Sequence, residues 1–291
     1  MNAILSYEFM QNAILVGIMA SIVCGVIGPF IVTRRMVFIS GGLSHTAFGG
    51  LGIAYWLGIR PLFGAMAFVL AAAVLIGRQE EKSLSRNDLF IGILWAVGVA
   101  IGILFIHMTP GYAPDLMSFL FGNILTVPRA DVLITLLLTL IVTGAVTIYY
   151  NGFVAIALDE EYARARRLPV AALKMGLMIL TALSIVMLIQ VVGILLVIAL
   201  LTIPVAIASE LARNFRRIML LSILCGILIC LSGLMASYFI EFPSGASIIL
   251  IGGALLGVIK GVKSVTGRRK TSRFSITGKG NRSDSGSCLR L

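Results

Sequence analysis

The chain has few charged residues. Asp, Glu, Lys and Arg make up only 12% of its 291 residues, whereas hydrophobic residues make up 59%. Because about a quarter of the residues in a soluble globular domain are charged, this composition excludes an ordinary soluble fold. The mean hydropathy of +1.06 agrees, and the protein is predicted to lie in a membrane.

Cysteine pairs and the motifs of soluble enzymes are also missing. The four cysteines form no C-x-x-C pair, which argues against a zinc knuckle or a disulfide framework. There is no G-x-x-x-x-G-K-[ST], H-E-x-x-H or G-x-S-x-G motif, so the chain is not expected to be an enzyme. An intramembrane hydrolase using Ser44 and His45 is disfavoured, because adjacent residues on a helix point about 100° apart.

Long apolar runs predict an all-α fold. A helix needs about 20 apolar residues to cross a bilayer. Nine runs approach that length, at 9–33, 37–57, 61–77, 89–107, 132–150, 170–190, 191–210, 217–240 and 245–262. We therefore expect one polytopic helical bundle of about nine transmembrane helices over residues 1–263. No cleavable signal peptide is expected, because the first run is too long and lacks a basic flank.

The positions of lysine and arginine predict the topology. Cytoplasmic loops carry an excess of these residues. If the N-terminus lies outside and the C-terminus in the cytoplasm, only Arg60 and Arg129 fall outside. An odd number of spans follows from this arrangement.

The net charge of +11 comes largely from the C-terminal end. From Lys260 onward there are nine basic residues and one acidic residue, Asp284, so the charge does not indicate a nucleic-acid partner. Residues 264–291 are predicted to form a basic cytoplasmic tail, and from Thr271 onward their composition is typical of disorder. The tail either contacts anionic membrane lipid or, as we favour, is a solvated end that enforces orientation.

His45 is one of two histidines in the chain and lies in the second apolar run. An imidazole at membrane depth is costly unless it faces a partner, a cavity or a passing ion. Small residues surround it, at Ser40, Gly41, Gly42, Ser44, Thr46, Gly49, Gly50 and Gly52. This composition predicts a loosened helix that lines an aqueous path. The alternative is that the small residues only ease packing and that His45 bonds a neighbouring carbonyl.

Glycines also recur at four-residue spacing on other spans. Gly253, Gly257 and Gly261 follow this spacing on the last run, and Gly98 and Gly102 follow it on the fourth. Glycines at this spacing allow helix backbones to approach closely. Both sets predict tight packing within the bundle.

The loop at about 157–170 has the features of a short helix between two spans. Asp159 is a plausible N-cap, acidic residues follow it and arginines come near the end, which suits a helix dipole. Pro169 would end the helix. The positive-inside rule places the loop in the cytoplasm, where it is either a contact for another protein or a solvated connection.

Together these segments resemble one family, the integral membrane permease subunits of ABC importers for zinc, manganese and iron. The resemblance covers roughly residues 7–262. It is carried by Gly28-Pro29-Phe30 with Arg34-Arg35-Met36, Leu43-Ser44-His45, Phe121-Gly122-Asn123-Ile124-Leu125, Asp159-Glu160-Glu161-Tyr162-Ala163-Arg164, the stretch 193–208 and Pro243-Ser244-Gly245-Ala246.

The resemblance implies a multi-pass protein of the plasma or inner membrane. Its expected partners are a cytosolic ABC ATPase subunit, an extracytoplasmic metal-binding solute-binding protein and a second permease, in most cases an identical copy. The segment from Asp159 to Val170 would be the coupling helix. Its coupling residues would be Asp159, Glu160, Glu161, Arg164 and Pro169. His45 would contact the ion in the translocation pathway, and the divalent metal would be the transported substrate, with no tightly bound cofactor.

Two positions depart from the family pattern. The family commonly has an Asp four residues before the histidine, where this chain has Gly41, and a small residue where it has Arg167. Further metal ligands could come from His107, Asp115 and Glu241, near predicted outer ends. Imidazole suits Zn²⁺, whereas carboxylates and water suit Mn²⁺, so zinc is predicted first, manganese second and iron third.

The alternative function is an ion-coupled secondary metal transporter. Such transporters use carboxylates within the membrane for coupling. The spans here hold almost none away from their ends, and Glu210 lies at a predicted inner boundary. The ATP-driven importer is therefore favoured.

Overall fold

A computed structural model describes residues 8–79, 84–110, 122, 124, 127–240 and 242–276. Within these residues there are eleven helices and no strand. In chain order they are α1 (Glu8–Thr33), α2 (Val37–Trp56), α3 (Pro61–Gln79), α4 (Leu84–Met108), α5 (Arg129–Ile148), α6 (Tyr150–Leu158), α7 (Glu160–Ala165), α8 (Val170–Val192), α9 (Ile194–Leu211), α10 (Phe215–Ile240) and α11 (Ser244–Ile276).

Nine of these described helices are long and apolar enough to cross a membrane. They correspond one for one to the nine predicted runs, so the all-α polytopic prediction is confirmed. The two exceptions, α6 and α7, lie together between the fifth and sixth spans. The last helix differs most from its predicted run, since α11 continues to Ile276 without a break.

The second span lies at the centre of the bundle. It packs most extensively against α4 and α3, while α1 packs against α10. In the 18-residue windows that define the spans, 78% of the residues of α1 and of α2 are buried, against 22% for α4, α5 and α11. The helix that carries His45 is therefore surrounded by protein.

Glycines allow α2 and α4 to touch backbone to backbone. A Cβ atom built on Gly98 would lie 2.8 Å from the Cα of Thr46, and one built on Gly49 would lie 3.1 Å from the Gly98 carbonyl oxygen. Gly52 and Gly102 face each other farther along the same seam. This confirms the packing predicted for Gly98 and Gly102.

The corresponding prediction for the last span is wrong within this chain. A Cβ atom on Gly253, Gly257 or Gly261 would meet no described atom within 4 Å. The repeat lies on a side of α11 that no described helix covers. Four-residue spacing predicts where close approach is possible, but not whether a neighbour is present.

Ion pairs join neighbouring spans at both ends of the bundle. Glu8 at the start of α1 pairs with Arg129 at the start of α5. At the other end Lys263 Nζ lies 3.1 Å from Glu210 Oε2, which links α11 to the last turn of α9. Both pairs are partly or largely exposed, so each contributes little to stability and mainly shows which helix ends are neighbours.

Candidate functional site

His45 is the ninth residue of α2, about 12 Å along the helix axis from Val37. It is half-buried, whereas all the remaining residues from Ile39 to Ala54 except Ile53 are buried. The imidazole therefore lies at membrane depth but is not sealed from its surroundings.

The second span is a regular helix, so the expected loosening of its backbone is wrong. The hydroxyls next to His45 bond within the helix: Ser44 Oγ donates to the Ser40 carbonyl at 2.8 Å, and Thr46 Oγ1 donates to the Gly42 carbonyl at 2.7 Å. Most of the glycines are used for close packing, as the alternative interpretation predicted. Gly50, for example, contacts the backbone of Gly64 on α3.

Gly41 is different from its neighbours. A Cβ atom there would lie 3.7 Å from Ile198 Cδ1 and 4.0 Å from Trp95 Cζ3, which are ordinary van der Waals contacts. A methyl group would fit at this position without moving these neighbours. The residue one helical turn before His45 therefore leaves unfilled room beside it.

A groove of about 600 Å³ reaches this room. It is lined by Val32, Arg35, Val37, Phe38, Gly41, Trp95 and Ile198. Arg35 lies in the turn between α1 and α2, which the positive-inside rule places in the cytoplasm. The groove thus extends from the predicted cytoplasmic end of α2 to Gly41 and Trp95.

Trp95 on α4 contacts the imidazole directly. The two ring centroids are 4.2 Å apart and the ring planes are 11° from parallel. This is a stacked pair, which also limits how the imidazole can turn. The sequence alone does not reveal the role of Trp95, because the pairing depends on the register of α4 against α2. Its one sequence signal is rarity, since the chain has only two tryptophans.

The other predicted metal ligands do not join His45. His107 is exposed in the last turn of α4. Asp115 and Glu241 lie outside the described residues. Across the part of the chain that the structure describes, no three His, Cys, Asp or Glu side chains come together.

The loop predicted to couple to an ATPase contains a short helix, α7. Asp159 is its N-cap, as predicted: its Oδ1 accepts a hydrogen bond from the Tyr162 backbone N–H at 3.0 Å. The helix ends at Ala165, earlier than predicted, and Pro169 instead precedes α8. The segment from Asp159 to Val170 is therefore one helical turn and a half followed by a tight turn.

Arg167 forms that tight turn with a left-handed backbone, at φ 58°. The Leu168 N–H donates to the Ala163 carbonyl at 3.1 Å, and the Arg167 N–H donates to the Arg164 carbonyl at 2.9 Å. This is the arrangement in which glycine commonly ends a helix. The departure noted at Arg167 therefore falls at a position where backbone geometry favours a residue without a Cβ.

Glu160 connects α7 to the next span. Its Oε1 lies 2.5 Å from Arg164 Nη2, and its Oε2 lies 2.7 Å from Lys174 Nζ on α8. Partial burial alone would raise the pKa of this carboxyl, but the hydrogen bonds and charges of Lys174 and Arg164 outweigh it and hold the pKa below its usual value. Glu161 is exposed.

An open groove of about 420 Å³ lies between α6 and α7. Leu158 and Tyr162 line it and are 64% and 51% exposed. The Arg166 guanidinium lies 5.3 Å from the centre of the Tyr162 ring. This surface combines an apolar recess with charges at its edge.

Comparison with known proteins identifies the family. The sequence profile of the ABC 3 transport family matches residues 6–260. An uncharacterized membrane protein of Synechocystis is 45% identical over 247 residues, which are 85% of this chain and 88% of the relative. The manganese transport system membrane protein MntC of Listeria monocytogenes is 35% identical over 251 residues, 86% of this chain and 89% of the relative.

A solved structure is similar to this chain over most of its length. PsaBC from Streptococcus pneumoniae in complex with Fab contains a chain that is 30% identical, with a TM-score of 0.80, over 89% of this chain and 93% of that chain. The residues that the family profile matches include the His45 segment and α7, and reach from the start of α1 into α11. The chain therefore belongs to the ABC 3 transport family, as a multi-pass, pore-forming permease subunit of the cell membrane whose ATPase is a separate subunit.

Proposed function

We propose that this permease carries a divalent transition-metal ion inward and that the ion contacts His45 on its way. The observation that carries the proposal is the half-buried imidazole at membrane depth, stacked on Trp95, which lines a groove that also includes Arg35. A neutral imidazole binds first-row transition ions through a ring nitrogen. Since no cluster of further ligands surrounds it in the described residues, the ion would keep several waters and be released readily.

Manganese is the first ion to test, because the Listeria relative is named as a manganese transport protein. Zinc is the second, because a site with an imidazole and no neighbouring carboxylate suits Zn²⁺ better than Mn²⁺. Gly41 bears on this choice, since the family commonly has an Asp at this position and this chain has no side chain there. Iron is the third.

The proposed partners follow from family membership and from the surface of α7. An ABC ATPase would dock on the segment from Asp159 to Val170, with Leu158 and Tyr162 offering apolar contact and Glu161 an exposed charge. A solute-binding protein would deliver the ion at the opposite face. A second copy of the permease would complete the pathway.

Replacement of His45 tests the proposal. The permease is assembled with its ATPase in proteoliposomes, the solute-binding protein is added, and uptake of Mn²⁺ and Zn²⁺ is measured with and without ATP. We expect His45→Ala to abolish ATP-dependent uptake of the transported ion, because the pathway would lose its protein ligand.

His107→Ala is the matched control, because this second histidine is exposed at the end of α4. It should keep most of the uptake. The proposed function is wrong if His45→Ala transports both ions normally. It is also wrong if uptake persists when the partner ATPase carries an inactivating substitution, since the import would then not be driven by ATP.

A further inference from the structure

The ring of His45 has one aromatic neighbour that sets its plane. The Trp95 indole lies parallel to the imidazole within 11°, with the centroids 4.2 Å apart. A ring stacked in this way can turn only by separating from its neighbour, which costs part of the pair energy. The orientation of the imidazole is therefore determined by α4, not by α2 alone.

The plane of the ring decides where an ion can bind. The lone pair of an imidazole nitrogen lies in the plane of the ring, so a metal approaches along that plane. With the ring parallel to the indole, both nitrogens point along the indole face and neither points into it. Trp95 thus restricts the directions from which an ion can reach His45.

Trp95 also forms part of the groove. It lines the groove with Gly41 and Phe38, and its ring centroid lies 6.3 Å from that of Phe38. One side chain therefore contacts both the imidazole and the open space that leads to the predicted cytoplasmic end. In the described residues no other side chain is shown to stack on His45.

We infer that Trp95 is a positioning residue for ion transport: it holds the imidazole of His45 edge-on to the ion path. This inference rests on the proposed role of His45. A freely turning imidazole would still bind the ion, but only in a fraction of its orientations. Loss of the stack should therefore weaken apparent affinity more than it lowers the maximal rate.

Uptake kinetics of two Trp95 variants test this inference in the assembled permease–ATPase complex. Trp95→Leu removes the ring and should raise the KM for the transported ion roughly three- to tenfold, in line with the measured energies of aromatic pairs, while Vmax changes little. Trp95→Phe keeps an aromatic face and should restore KM to within about twofold of the parent. If Trp95 had only a structural role, its loss would lower Vmax or the amount of folded permease and would not raise KM alone.

Trp56→Leu is the matched control for these variants. Trp56 is 45% exposed at the end of α2, where its ring contacts Phe105 edge-on at 5.4 Å. This variant also loses an aromatic pair, but not the one at His45, and its KM should equal that of the parent. An equal rise in KM for Trp56→Leu and Trp95→Leu overturns the inference.

Tryptophan fluorescence gives a second readout. The chain contains only two tryptophans, so a Trp56→Phe background leaves Trp95 as its single indole. An open-shell ion bound to His45 would lie within a few ångströms of this indole. Co²⁺ should therefore quench its emission, whereas closed-shell Zn²⁺ should not. Adding His45→Ala should abolish the quenching, and quenching that persists without His45 contradicts the geometry.

The outcomes separate this inference from the proposed function. If His45→Ala abolishes uptake but Trp95→Leu has the parent KM, His45 is in the pathway and only the positioning role of Trp95 fails. If His45→Ala transports normally, the proposed function fails first. A raised KM in Trp95→Leu, rescue by Trp95→Phe and His45-dependent quenching together support the inference.

Discussion

Gly98 provides the sharpest test of how α2 is held. It lies one turn after Trp95 on α4 and faces the backbone of Thr46, the residue after His45. A methyl group at Gly98 would lie 2.8 Å from Thr46 Cα and 3.3 Å from both its carbonyl oxygen and its Cγ2. Because two of these three atoms belong to the backbone, no side-chain rotation can relieve the contact.

The structure gives the size of the expected effect. Ordinary contact begins at 3.4 Å, so Gly98→Ala requires α2 and α4 to separate by about 0.6 Å. Overpacking of this kind costs about 1–3 kcal/mol, against a total stability of about 5–15 kcal/mol for a typical protein. Replacing a helical glycine with alanine returns about 1 kcal/mol, so a matched control is needed.

Gly92→Ala is that control, because Gly92 lies on the same helix and a Cβ there would meet no described atom within 4 Å. Both variants gain the same helix propensity, but only Gly98→Ala places a methyl group against the backbone of α2. In thermal unfolding of the purified permease we expect Gly98→Ala to melt roughly 2–10 °C below Gly92→Ala. Equal melting temperatures would refute the close approach of α2 and α4.

Three further predictions concern the segment that would face the ATPase. Arg167→Gly should stabilise the permease by about 1 kcal/mol, because a left-handed backbone costs a non-glycine residue this much, whereas Arg166→Gly at φ −78° should not. Thermal unfolding of both variants checks this, and equal effects would show that φ at Arg167 is unimportant. Glu160→Gln should weaken co-purification with the ATPase at pH 7, because it breaks the link between α7 and Lys174. Glu161→Gln removes a charge from the same helix without breaking this link and should weaken co-purification less. Because the folded-state pKa of Glu160 is depressed below 4.5, the stabilising effect of its charge is present above pH 4.5 and is lost as the pH falls through the folded value. The stability difference between parent and Glu160→Gln should therefore narrow on acidification below pH 4.5, and a difference that grows there would contradict the assigned ion pairs.

The fold could be predicted from the sequence because membrane spans are determined by local composition. Each of the nine runs is apolar over nearly its whole length, and no partner is needed to recognise it. The N-cap at Asp159 was equally local, since its hydrogen bond reaches only to Tyr162. The early end of α7 could not be predicted, because Pro169 favours a later end and the left-handed turn at Arg167 has no clear sequence signal.

The site itself could be predicted only in part. His45 stood out because an ionisable ring in an apolar run is rare. Its stacking on Trp95 and the room beside Gly41 depend on which faces of α2 and α4 meet. Both helices are apolar on most faces, so their sequences do not determine this register. For the same reason, the glycines around His45 suggested a loosened helix, when most of them press against α3 and α4.

The ion pair between Glu210 and Lys263 has a mechanical consequence. It ties the last turn of α9 to α11, and the two helices also pack along their length. They are therefore expected to move together in any rearrangement of the permease. A dye attached at Val258, which is 62% exposed on α11, would report the angle of α9 without any label in the protein interior.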